Sequence, residues 1–133
     1  MDLIQALRER LERLPKVIEA QVPGGIRLAA PDPDGFAIEI LDGPDEWTVF
    51  LGDGAFHDHF DTADEALSFV VWCYSGKARL REFSRGNIPS GAVLESLEDN
   101  TWSAVSEMKL IFVPFWRART ESVFRNPSLL KAR

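Results

Sequence analysis

Cysteine is almost missing from this 133-residue chain: Cys73 stands alone. It cannot close an internal disulfide, which sets aside the disulfide-stapled class of small secreted domains. Apolar runs long enough to span a membrane, about 20 residues, are also missing. The beginning of the chain, Met1-Asp2-Leu3-Ile4, lacks the basic-then-apolar order of a secretory signal. A bacterial-type cytoplasm is therefore the expected setting, with no membrane partner. No G-x-S-x-G elbow, P-loop, G-x-G-x-x-G turn or Cys-x-x-Cys pair occurs, so no catalytic residue and no cofactor is expected.

Positive charge is absent from a long central stretch, since no lysine or arginine falls between Arg27 and Lys77. The same stretch carries eleven carboxylates, from Asp32 to Glu65. From Lys77 onward ten basic residues face six acidic ones, against a formal net charge of -6 for the whole chain. The simplest expectation is that the two halves neutralise one another across the fold.

Hydrophobic content of 45% and charged content of 27% are ordinary for a globular protein. At this length folding buries roughly two-thirds of the unfolded surface, enough for one core. The expectation is a single α+β domain over residues 1–125, with 126–133 as a frayed tail.

The clearest element is a helix over residues 62–75. Thr62 with Glu65 three residues on makes a capping box, Asp64 and Glu65 suit the positive end of the dipole, and Gly76 suits the stop. Ala63, Ala66, Leu67, Val70, Val71 and Tyr74 form its core-facing stripe. Trp72 falls on the opposite, polar stripe, which points to a covered surface. An earlier helix spans residues 2–14, with Leu3, Ile4, Leu7, Leu11 and Leu14 along one side, and Pro15 ends it.

Between and after the helices the chain reads as short strands. Pro23-Gly24-Gly25 turns one hairpin, and residues 36–41, 47–51 and 55–60 alternate between turn clusters. Beyond the second helix, strands are expected over 78–85, 92–97, 101–107 and 110–116, with Asp99-Asn100 as a two-residue turn. The connections are too short for parallel crossovers. The fold class expected is α+β, in the order helix-strands-helix-strands, with antiparallel meander sheets and two main helices packed on one face. Residues 110–116 carry apolar side chains on both faces, including Phe112 and Trp116, which predicts a partner or a homodimer.

Three constellations could carry function. His57, His59 and Asp61 share a face of a strand, and two imidazoles with a carboxylate at that spacing can hold a divalent ion, with Asp53 or Glu46 completing the set. The run resembles the H-x-H-x-D motif of metallohydrolases but lacks a third histidine. Arg79, Arg81 and Arg85 line one face of a later strand with Phe83 among them, and Trp116-Arg117-Ala118-Arg119 adds basic and aromatic character. Stacking beside a phosphate track is one use of such a face. The acidic total and the absence of a nucleic-acid motif weigh against it. Trp72, Phe112 and Trp116 form the third set, as a protein interface.

His57-x-His59-Phe60-Asp61 leading into Ala63-x-Glu65-Ala66-Leu67, with the late Pro114-Phe115-Trp116-Arg117, resembles a group of short bacterial proteins of unknown function. The resemblance implies a bacterial origin and no activity. Size, charge and helix-strand order are similar, by analogy, to those of secretion chaperones and immunity proteins. The leading expectation is a non-enzymatic protein-interaction module, with a divalent-metal site at His57 and His59 or nucleic-acid binding through Arg79 and Arg81 as alternatives.

Overall fold

The computed structural model describes residues 3–10, 19–52, 56–110 and 114–130. Two antiparallel sheets carry the architecture. The first is a meander in sequence order: β1 (Glu19–Val22), β2 (Gly25–Leu28), β3 (Ile38–Asp42), β4 (Trp47–Leu51) and β5 (Phe56–Phe60). The second holds β6 (Ala78–Arg85), β7 (Ile88–Glu98), β8 (Thr101–Lys109) and β9 (Arg119–Arg125), in the order β8-β7-β6-β9. Helix α1 (Leu3–Arg10) precedes the first sheet and α2 (Ala63–Cys73) joins the two. The expected α+β class with antiparallel sheets is observed. Strands nevertheless dominate the described residues, and of the helix expected over 2–14, residues 2 and 11–14 lie outside them.

Local chemistry sets the joints. Gly24 takes a φ of 78° after Pro23, closing the β1–β2 hairpin as a turn that a side chain would strain. Asp99 and Asn100 both take positive φ, 51° and 62°, the geometry that matches the twist of the flanking β7 and β8. Thr62 is extended and its hydroxyl accepts from the Glu65 N–H at 3.1 Å, satisfying an orphan donor of α2.

The core lies where α2 meets the inner faces of both sheets. Ala66, Leu67, Val70, Val71 and Cys73 come from α2 and Tyr74 from its C-cap, and Ile38, Ile40, Val49, Leu51 and Phe56 from the first sheet. Leu80, Ala92 and Leu94 of the second sheet belong to the same buried cluster. Each fully buried Leu, Ile, Val or Phe among them contributes about 1.5–3 kcal/mol through area removed from water. Helix α2 rests on β4, β5 and β6, α1 rests on α2, and β5 lies beside β7 and β8. The inner-face alternation of β6 sends Ala78 and Leu80 inward, so Arg79 and Arg81 point out.

Two strand expectations are corrected. Residues 110–116 do not form a strand where they are described: Leu110 is irregular, Pro114 to Arg117 close a turn, and 111–113 lie outside the described residues. Arg117 N–H donates to the Pro114 carbonyl at 2.9 Å, and proline has no N–H for a ladder. The seventh strand of the expectation, 92–97, instead begins at Ile88 directly after a Gly86-Asn87 turn. Of the stretch expected to be a tail, Asn126 and Leu129 are buried, and the Leu129 N–H donates to the Tyr74 carbonyl at 2.7 Å. Residues 131–133 lie outside the described residues.

Tyr74 is fully buried and its hydroxyl finds no hydrogen-bond partner among the described residues. A buried unmet hydroxyl costs about 1–3 kcal/mol. Tyr74→Phe is therefore expected to raise the unfolding free energy by about 1 kcal/mol, measured by urea denaturation at neutral pH. A loss of stability would show that the hydroxyl is satisfied.

Candidate functional site

The outer face of the second sheet gathers most of the charge in this half of the chain. Register sets Arg79 between Glu95 and Arg125, Arg81 between Val93 and Val123, and Phe83 between Gly91 and Glu121. Arg85 lies opposite Arg119 on β9, and β8 adds Glu107 and Lys109 beyond Val93 and Gly91. Six cations, Arg79, Arg81, Arg85, Lys109, Arg119 and Arg125, thus share one face with three carboxylates, Glu95, Glu107 and Glu121. A molecule that is acidic as a whole is cationic here.

The pairing within this face is local. Arg79 reaches Glu95 at 2.7 Å, Arg81 contacts both Glu95 and Glu121, and Lys109 approaches Glu107 at 3.4 Å. The hydrogen bond between Arg81 and Glu121 holds the Glu121 carboxyl below its usual range and raises the Arg81 guanidinium. These ion pairs stay within the second half of the chain. The expected neutralisation by the acidic half is therefore not how these arginines are satisfied, and Asp32, Asp34, Asp42, Asp45, Glu46, Asp61, Asp64 and Glu65 lie exposed.

Aromatic groups interleave the cations. Arg79 stacks over Trp102 at 4.4 Å and Arg125 over the same ring at 5.1 Å. Arg119 lies 4.0 Å and Arg81 5.3 Å from the centre of Phe83. At one end Arg85 donates to the carbonyl of Arg117 at 3.0 Å and to that of Phe115 at 3.4 Å, anchoring the 114–117 turn to the sheet. That turn exposes Phe115 by 77% and Trp116 by 72%, their rings meeting edge to face. Two large aromatics this far out of a core are the informative departure from ordinary burial.

The sequence-predicted residues scatter. Trp116 joins the site. Trp72 is half-buried against Phe69, with ring centres 5.8 Å apart, and packs on the core. Phe112 lies outside the described residues. His57 and His59 do share the outer face of the first sheet, with ring centres 5.2 Å apart. His59 Nδ1 lies 3.0 Å from Glu46 and 3.1 Å from the Thr48 hydroxyl, and His57 packs on Phe50. Asp61 sits exposed in the bend before α2, and Asp53 lies outside the described residues. Among the described residues no three potential metal ligands come together. Cys73 is enclosed in α2 and burial pushes its thiol pKa up, the reverse of what a thiolate nucleophile needs.

Lys109 joins the face without any signal in the sequence, and it is the β7–β8 register that places it there. Arg119 stood in the Trp116-Arg117-Ala118-Arg119 run, but only the pairing of β9 with β6, some 40 residues apart in sequence, brings it beside Phe83. Among the described residues no helix is long and apolar enough to cross a membrane. No protein-family model, no curated protein and no solved structure matches the chain.

Proposed function

We propose that the protein is a non-enzymatic binding module that presents the outer face of its second sheet to an acidic protein partner. One observation carries this reading: a surplus of cations on that face adjoins the exposed Phe115–Trp116 pair. Aromatics and arginines are the residue types that dominate binding energy at interfaces. Charge chooses among occupants. A twofold dimer centred on this face would set cations against cations, so a second copy fits it worse than an acidic surface does. A nucleic-acid backbone would run across Glu95, Glu107 and Glu121, which interrupt the cationic rows.

A photo-crosslinking amino acid at position 116, with position 64 on α2 as control, tests the reading in cells of the source organism. The expected result is a protein adduct at 116 and none at 64, with the crosslinked peptide of the partner rich in Asp and Glu. Charge reversal by Arg81→Glu with Arg119→Glu should remove that adduct. A nuclease-sensitive adduct, or one made only with a second copy, would overturn the proposal.

A further inference from the structure

The cationic face is not flat. Register shifts between Phe83 and Ser84, and β7 places Gly91 across from Phe83, with Lys109 on the other side of the glycine. Because Gly91 has no side chain, the surface drops between the Phe83 ring and Lys109 into a hollow of about 360 Å³. The glycine is required by the neighbouring strand as well: a Cβ there would lie 2.7 Å from the Met108 carbonyl oxygen. Arg81, Arg85, Lys109 and Arg119 supply the cationic wall, and Glu107 also reaches the lining.

These cations are not equally engaged. Arg81 is occupied by Glu95 and Glu121, Arg85 by the carbonyls of the 114–117 turn, and Lys109 faces Glu107. Arg119 makes no salt bridge with a described residue, attracts Glu121 only at longer range, and rests its guanidinium over the Phe83 ring. An unpaired arginine held by an aromatic floor keeps its fork of donors turned to what enters from outside.

We propose that this hollow receives one carboxylate side chain, Asp or Glu, of an extended partner segment, with an apolar neighbour of that residue against Phe115 and Trp116. The inference rests on the acidic-partner reading and names the subsite within it. At about 360 Å³ the hollow has room for an Asp or Glu side chain together with the stretch of backbone that carries it. Charge supports a monoanion: Arg119 is the one wall guanidinium bound to neither a carboxylate nor a carbonyl, and Glu107 at the lining with Glu121 nearby opposes a second negative charge. A doubly charged phosphate or a polyanion meets that repulsion in full.

The test is fluorescence anisotropy of the full chain with a labelled peptide alternating glutamate and leucine. The glutamine-leucine and phosphoserine-leucine peptides, an oligothymidylate and phosphatidylserine vesicles are the comparison probes. The glutamate peptide is expected to bind roughly tenfold more tightly than the glutamine peptide. In Arg119→Gln that preference should vanish with the melting temperature unchanged, a signature that a merely structural role would not produce. Tighter binding of the phosphoserine peptide, the oligonucleotide or the vesicles would overturn the proposal, as would a preference that persists in Arg119→Gln. If the preference persists while the position-116 adduct still maps to an acidic peptide, the hollow is wrong and the face reading stands. Loss of both the preference and the adduct in the unmodified protein removes the two together.

Discussion

Replacing Asn126 with alanine is expected to lower the unfolding free energy by about 3 kcal/mol, from two buried hydrogen bonds lost at once. Asn126 is fully buried although the chain around it is polar. Its Oδ1 accepts from the Phe36 N–H at 2.8 Å and its Nδ2 donates to the Cys73 carbonyl at 3.4 Å. One side chain thus ties the loop before β3, 90 residues back, to the end of α2, 53 residues back. The fit leaves no slack, because a Cβ on Gly35 would lie 2.5 Å from Asn126 Oδ1. Flanking backbone bonds join the same seam, from Arg125 N–H to the Asp34 carbonyl and from Leu129 N–H to the Tyr74 carbonyl, each at 2.7 Å. Alanine leaves the buried Phe36 N–H without an acceptor, and water cannot easily follow it inside. Urea denaturation of Asn126→Ala measures the effect. A loss below about 1 kcal/mol would mean that residues 126–130 do not hold the two sheets together.

Asn126 also marks where local pattern stops carrying information. Polar residues and Pro127 near the end of the chain have the composition of a tail, and only the distant Phe36 and Cys73 give the asparagine its place. Helix α2 was legible because its cap, its stripe and its stop lie within its own sequence, and five of the six stripe residues are buried, Ala63 being half-buried. The outward row of Arg79, Arg81 and Arg85 was legible for the same reason, as a strand with period two. Strand β9 was not, since as an edge strand it leaves every side chain but that of Phe124 exposed, and its inward positions Thr120 and Ser122 are polar, so no apolar alternation marks it. Apolar character in residues 110–116 suggested a strand, but the described part is a turn that leaves Phe115 and Trp116 outside. The hollow over Phe83 had no signal at all: it arises from a missing side chain at Gly91 seen only once the register is known.

Raising the pH from 8 to 10 is expected to cost the protein about 2 kcal/mol through Cys73 alone. The thiol is fully enclosed, and burial lifts its pKa well above the usual range because the thiolate cannot be solvated there. In the unfolded chain the same thiol ionises near about 8.5. Between those two values the unfolded state holds fewer protons than the folded state, so stability falls as pH rises, by about 1.4 kcal/mol per pH unit. Below the unfolded pKa both states keep the proton and no dependence arises. Tyr74 adds a second slope of the same sign above about pH 10, its phenol pKa raised chiefly by burial and then by the neighbouring Cys73. Urea denaturation across this range, on the protein and on Cys73→Ala, isolates the thiol. The substitution costs some packing at every pH, yet its stability should hold nearly level from 8 to 10 relative to the parent. Equal slopes in the two proteins would show that the thiol titrates alike folded and unfolded, and that α2 does not seal its inner face.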